Sequence, residues 1–316
     1  MPNAAAPLLS RTLRRGVLAA LATPVEGHGQ PDLGAFAGLI DFVAARGIDG
    51  VVIGGATGEY ASFSIEQRSC LIMEAARRAN DRFAVLAGIG AQTLSQTLQL
   101  ANTAADVGCR AVLLPMPYFF RYQQDDLLEY SRVVSGSVKL PCLFYHLPSF
   151  TNGLELDNLV ALLESDAGFA GIKDSSGQAR HLAPLVEAKS QREFDLFVGD
   201  DSLALDAISG GWDGVISGIA CFLPELLVSL VDAYRAGDLA MARSRQDDLD
   251  RVIEEVVKLP IPWAVRIGLE ARGLSSGPLP LPLSPRRRGQ VEAYRTWCRQ
   301  WLKEKAWIEP WEGATA

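Results

Sequence analysis

The residues through which metal, disulfide and nucleophile chemistry usually show themselves are scarce in this chain. Its 316 residues hold three histidines, His28, His146 and His181, and five cysteines, Cys70, Cys109, Cys142, Cys221 and Cys298. The cysteines are odd in number and scattered, with no C-x-x-C pair, which argues against a disulfide framework or a cysteine zinc site and for a reducing, cytoplasmic location. No H-E-x-x-H, G-x-S-x-G or P-loop occurs, so zincin, nucleophile-elbow and Walker chemistries lack their signatures. No apolar run reaches the ~18 residues of a membrane span. Positive charge is also short: the net charge is -7 with both signs interspersed, which points away from nucleic-acid or anionic-membrane partners. The one basic run, Arg286 to Arg288, follows a proline-rich stretch and reads as a solvated loop.

What the chain has is an alternation. Apolar runs of strand length recur at GVLAALATPV (16–25), GVVIGG (50–55), FAVLAGIG (83–90), AVLLPMP (111–117), PCLFYHLP (141–148), FAGIKDSS (169–176), FDLFVGDD (194–201) and GVISGIA (214–220). Segments with helical apolar spacing lie between them, such as LGAFAGLIDFVAARG and LSQTLQLANTAADVG, and Gly47, Gly108 and Gly237 close three of them. Eight strands alternating with helices predict parallel β-structure, best met by a (β/α)8 TIM barrel over 1–236; a doubly wound open sheet is the alternative. Residues 237–316 predict a C-terminal helical appendage, with SSGPLPLPLSP as a linker inside it. The basic residues before the first apolar run, in RTLRRGVLAALATPV, imitate a signal peptide, but that run fits as the first strand of the repeat.

In such barrels chemistry sits at the C-terminal strand ends. Lys173 stands inside the apolar run FAGIKDSS. A buried ammonium costs several kcal/mol unless it is paired or loses its proton. By the period of two, Gly171, Lys173 and Ser175 face one way and Asp174 the other, so Asp174 cannot pair with the lysine and Gly171 leaves room beside it. An unpaired, desolvated lysine is a nucleophilic amine suited to a Schiff base with a carbonyl substrate; a structural lysine paired elsewhere or snorkelling to the mouth is the other reading. Tyr145 ends the neighbouring strand, where a phenol near a cation can move protons. Gly54, Gly55 and Gly58 surround Thr57, a turn whose backbone N–H groups and hydroxyl suit a small anion. Amine, phenol and anion cradle together describe a site for a 2-oxo acid, which needs no cofactor and no metal.

GGATGE (54–59), YHLPSFTNG (145–153) and GIKDSSG (171–177), in this order and on these strands, resemble the dihydrodipicolinate synthase / N-acetylneuraminate lyase superfamily of pyruvate-dependent class I aldolases. The resemblance runs from about Arg15 to Gly277 and includes LATP (21–24) and GVISG (214–218). It implies a barrel with a C-terminal helical domain, usually a tetramer, and a dimer is the other assembly expected. It makes Lys173 the Schiff-base lysine and Tyr145 the proton shuttle. Thr57, with the backbone of Ala56 and Thr57, would hold the pyruvate carboxylate, and the Ile216 carbonyl would line the pocket. The chain departs from the synthase branch in three places. Ala56 replaces the first threonine of G-T-T-G-E. Phe119, next to Tyr118, falls where a neighbouring subunit lends a tyrosine. Phe150 replaces an arginine. His146, in place of a common asparagine, faces away from Tyr145 and reads as structural. These changes favour a Schiff-base lyase, such as a 2-keto-3-deoxy sugar acid aldolase or dehydratase, over dihydrodipicolinate (4-hydroxy-tetrahydrodipicolinate) synthase. A phosphosugar isomerase-like barrel would want a phosphate cradle where Asp200 and Asp201 stand, and a non-catalytic barrel that binds a small acid completes the alternatives.

Overall fold

The computed structural model describes residues 16–165 and 168–307. Strands β1 (Gly16–Ala20), β2 (Gly50–Ile53), β3 (Ala84–Gly88), β4 (Ala111–Pro115), β5 (Cys142–His146), β6 (Phe169–Asp174), β7 (Asp195–Val198) and β8 (Gly214–Ser217) form one closed parallel barrel in chain order. Closure runs through β8 and β1, paired from Gly16↔Gly214 to Ala19↔Ser217, which rules out the open sheet. Gly16–Ala20 is thus the first strand; Arg11, Arg14 and Arg15, the basic flank of the leader-like reading, lie outside the described residues.

Helices α1 (Leu33–Ala44), α2 (Ile65–Ala79), α3 (Leu94–Asp106), α4 (Gln124–Ser137), α5 (Leu156–Glu164), α6 (Leu182–Ala188), α7 (Ala204–Ser209) and α8 (Pro224–Arg235) return the chain between strands and after β8. Side chains that accept from a backbone N–H three residues on set the starts of α1, α2 and α3: Asp32 accepts from Ala35 and Thr93 from Gln96, and Ser64 and Gln67 complete a reciprocal capping box. Gly47, Gly108 and Gly237 all take positive φ just past helix ends, as their spacing predicts.

Three further helices follow, α9 (Leu239–Val256), α10 (Ile261–Ala271) and α11 (Pro285–Glu304). The basic run is not a loop: Arg286 to Arg288 lie in the first turn of α11, where Ser284 accepts from the Arg287 N–H and Pro285 fills a position whose N–H would be unpaired. The Ser-Pro pair was the start signal, and the proline-rich stretch before it hid that.

Side-chain parity divides the apolar residues into two cores. Leu18, Ala20, Val52, Leu86, Leu113, Leu143, Tyr145, Phe197 and Ile216 fill the barrel interior. The alternate residues, such as Val17, Val51, Val112, Phe144 and Ile172, pack outward against the helices, and the same outer core takes in Leu249, Val265, Tyr294 and Trp301 of α9, α10 and α11. Among the described residues, the C-terminal helices therefore share the outer core of the barrel.

Candidate active site

β5 and β6 pair in register at Tyr145↔Lys173 and His146↔Asp174. Parity sends Tyr145 inward while Phe144 and Ile172 go outward, and Lys173 follows Tyr145. Both side chains are buried, at 4% and 3% exposure for Lys173 and Tyr145. The Lys173 Nζ donates to the Tyr145 hydroxyl at 3.3 Å and stands 4.4 Å from the centre of its ring. An amine and a phenol are thus side by side on adjoining strand ends, out of water.

Room for the lysine comes from a residue that strand parity did not single out. A Cβ on Gly199, just past β7, would fall 2.5 Å from Lys173 Cε and 2.1 Å from Ser175 Oγ. The nearest atoms a Cβ on Gly171 would meet are those of the Asp195 backbone, its carbonyl oxygen at 2.2 Å, so that glycine serves the close approach of β6 to β7. Asp174 turns outward as expected, its Oδ2 lying 2.8 Å from His181 Nδ1.

A nearby acid does exist, from the next βα unit. Asp201, at the start of a short turn before α7, lies close enough for the Lys173 charge to act on its carboxyl. The residue as a whole is half-buried, but its Oδ1 is buried with no hydrogen-bond partner. Burial pushes this carboxyl up to about 7; Asp200 adds to the rise, and Ser217, Lys173 and the Ile219 backbone oppose it. In the sequence Asp201 stands out only as a charge hostile to phosphate.

The GGATGE turn is set by close contacts. Gly54 has φ 69° and Glu59 φ 53°, and a Cβ on Gly58 would sit 2.9 Å from the Leu21 carbonyl oxygen. Thr23 Oγ1 donates to the Gly58 carbonyl at 2.9 Å. Thr57 is buried against the end of β8, where a Cβ on Gly218 would come within 2.8 Å of its hydroxyl. Ala56 packs on the interior core, of which the Ile216 side chain is a member. Two arginines brace this end of the barrel, one at the adjoining end of β3 and one at the turn itself. Arg68 donates to the Gly90 and Gly88 carbonyls at 2.6 and 2.8 Å, and burial lowers it to about 10. Arg266 of α10 pairs with Glu59 at 3.4 Å and donates to the Ser276 carbonyl at 2.7 Å. Burial raises the Glu59 carboxyl even with Arg266 beside it.

The three rim residues separate. Tyr118 turns edge-on to Tyr60 with ring centres 5.7 Å apart. Phe119 is 89% exposed in the left-handed region at φ 78°, and Phe150 is 63% exposed. Asn152, whose part the sequence did not reveal, pins this loop. Its Nδ2 donates to the Pro117 and Phe120 carbonyls at 2.7 Å each, and its Oδ1 accepts from the Tyr122 N–H at 3.1 Å. His146 is buried on the outer side, where burial lowers its pKa. Asp174, which burial would raise, is held below the usual range by hydrogen bonds from His181 and Ser176 and by the His146 charge.

A closed parallel barrel with a buried amine and phenol on neighbouring strand ends has the architecture of the lyases that work through a lysine Schiff base. The chain belongs to the dihydrodipicolinate synthetase family, whose model matches residues 13–299. It is 34% identical over 286 residues to the 4-hydroxy-tetrahydrodipicolinate synthase of Thiobacillus denitrificans, covering 89% of this chain and 95% of that one. Among solved structures, the dihydrodipicolinate synthase of Aquifex aeolicus matches with a TM-score of 0.84 and 27% identity, over 92% of this chain and 98% of that one. A prophage protein of the dihydrodipicolinic acid synthase family from E. coli K12, in complex with pyruvate, matches with a TM-score of 0.85 and 26% identity, over 92% and 99%. An N-acetylneuraminate lyase from Mycoplasma synoviae shares the fold, with a TM-score of 0.80 at 18% identity over 91% and 97%.

Proposed function

We propose that the protein is a cytoplasmic, homo-oligomeric class I lyase that forms a Schiff base between Lys173 and the keto carbon of pyruvate or a related 2-oxo acid. The observation that carries this is the buried 3.3 Å contact between the Lys173 amine and the Tyr145 hydroxyl. The neutral amine attacks the keto carbon, and Tyr145 passes a proton to the departing oxygen, which leaves as water. Loss of a proton from the methyl group of the imine gives an enamine, and its carbon attacks an aldehyde or, in the reverse direction, is released from one. Thr57 and the Ala56–Thr57 backbone hold the carboxylate, and the Ile216 carbonyl lines the pocket beside them. Asp201, whose carboxyl burial raises, lies within reach of the Lys173 charge and is the acid nearest to hand for it.

The second substrate has two candidates. The names of the relatives favour aspartate semialdehyde, and thus 4-hydroxy-tetrahydrodipicolinate synthase. Ala56 in the turn and the exposed Phe119 and Phe150 favour a 2-keto-3-deoxy acid or a less polar aldehyde, because two hydroxyls of the synthase branch's proton relay and the cation that would hold a semialdehyde carboxylate are absent there. Borohydride reduction in the presence of pyruvate tests the imine: the expected adduct is on Lys173, and an adduct elsewhere, or none with any 2-oxo acid, overturns the reading. A coupled assay with pyruvate and aspartate semialdehyde, beside a panel of 2-keto-3-deoxy acids, separates the two. A kcat/KM for the semialdehyde near ~10⁴ M⁻¹s⁻¹ or above, within the ordinary enzyme range, assigns the synthase. A value far below it, with cleavage of a deoxy acid, assigns the lyase.

A further inference from the structure

The outer faces of β5 and β6 carry a second polar cluster that imine chemistry does not use. His146 and Asp174 are register partners one residue beyond Tyr145 and Lys173. The His146 ring stacks near Phe144 of the outer core, with centres 6.2 Å apart. His181, in the turn Ala179–His181 before α6, meets them from the helix side. The three are 2%, 5% and 2% exposed for His146, Asp174 and His181. One ligand-capable atom from each lies within 4.8 Å of the other two.

Hydrogen bonding explains only part of this group. Asp174 is satisfied by His181 Nδ1 and by the Ser176 N–H, each at 2.8 Å. His146 Nδ1 is buried with no partner, although its ring centre is 5.6 Å from that of His181. A histidine kept only for packing would bury its polar atom against a donor or an acceptor.

We propose that His146, Asp174 and His181 form a binding site for a divalent transition-metal ion, zinc by the chemistry of the donors. Two imidazole nitrogens and one carboxylate oxygen suit zinc and its first-row neighbours, whereas magnesium and calcium take oxygen ligands. Ser176 Oγ, 3.3 Å from His181 Nδ1, or a water that it holds, completes the set. Zinc bonds of ~2.0–2.2 Å put tetrahedral ligands roughly 3.3 Å apart. The 2.8 Å His181–Asp174 contact therefore opens by about half an ångström as the shared proton leaves. The ion joins the ends of β5 and β6 to the start of α6 from behind the barrel. The site stands whether or not Lys173 forms an imine.

The test uses the full chain, stripped by a chelator and titrated with Co²⁺ as a visible probe and then Zn²⁺. One equivalent of Co²⁺ is expected to bind with the absorption of a four- or five-coordinate ion and to be displaced by Zn²⁺. At ~100 times its Kd, Zn²⁺ should raise Tm by about 5 °C. His146→Gln and His181→Gln should each weaken binding by ~100-fold or more, while His28→Gln, at an exposed histidine, should not. If a variant fails to fold, X-ray absorption on the wild-type cobalt form decides, with two imidazole nitrogens expected. No saturable binding to the wild type at ~10⁻⁵ M, binding that survives both substitutions, or a coordination shell without two imidazoles would each overturn the site.

Discussion

Gly199→Ala separates the chemistry from the fold. The φ of Gly199 lies outside the left-handed region, so alanine meets no backbone penalty there. The conflict is with side chains: the new methyl falls 2.5 Å from Lys173 Cε and 3.2 Å from its Cγ, whereas ordinary contact begins near 3.4 Å. Ser175 Oγ, at 2.1 Å, can rotate away, but the lysine stem must retreat by about 1 Å. A misplacement of that size at a reacting atom costs ~10²-fold in rate. Overpacking should cost ~1–3 kcal/mol of stability at most, because the displaced group is a flexible chain at the barrel mouth. The measurements are turnover, the rate of borohydride trapping with pyruvate, and urea unfolding. Turnover and trapping should both fall by about 10²-fold while the protein stays folded. Gly171→Ala gives the contrast: its methyl would strike the Asp195 backbone at 2.2 Å, so it should lower stability and disturb the β6–β7 pairing. Turnover of Gly199→Ala within twofold of the wild type, with unchanged trapping, would refute the idea that Gly199 makes the space for the amine.

Tyr145→Phe should still allow imine trapping on Lys173 but slow turnover by ~10²–10⁴, the usual worth of a positioned acid–base group; unchanged turnover would move the proton shuttle, with Tyr118 the first to test. Asp201 gives a pH signature. Its carboxyl is raised from 3.8 to about 7 in the fold, so the folded state holds a proton that the unfolded chain has lost. Its stabilising contribution is complete below pH ~4 and lost as pH rises through ~7, a total of about 4 kcal/mol, with about 3 kcal/mol of it between pH 5 and 8. Asp201→Asn should therefore gain on the wild type by about that amount from pH 5 to pH 8 in urea unfolding, and a difference independent of pH would contradict the burial argument. Asn152→Ala removes three hydrogen bonds that hold 117–122 and should make that loop the first site of limited proteolysis, which is refuted by wild-type cleavage rates.

All eight strands were legible as apolar runs, yet each was read too long at its C-terminal end. GVLAALATPV stops as a strand at Ala20, and FDLFVGDD at Val198. Many of the residues beyond are apolar, glycine or proline, a strand-like texture used here for tight βα turns; after β6 and β7 the overrun took in Ser175, Ser176, Asp200 and Asp201. Parity along FAGIKD located Lys173 and sent Asp174 outward, because a period of two is local information. Asp201 and Gly199 were invisible as neighbours of the lysine, because they belong to the next βα unit and meet it only once β6 and β7 pair. His146 reads from the sequence as an outward-facing structural residue, and its nearness to His181 is hidden for the same reason: they are 35 positions apart, with no spacing that a helix or hairpin would impose.

The bond between Arg266 and Glu59 has a consequence in time. It joins positions 207 residues apart, so the GGATGE turn lacks this support until the last quarter of the chain exists. At ~5–20 residues per second, a ribosome takes roughly 10–40 s to cover that distance. Through that interval the Glu59 carboxylate and the turn around it face solvent or whatever chaperone attends the nascent chain. A substitution at Arg266 should therefore lower the yield of active protein made in the cell more than it lowers the activity of the molecules that finish folding.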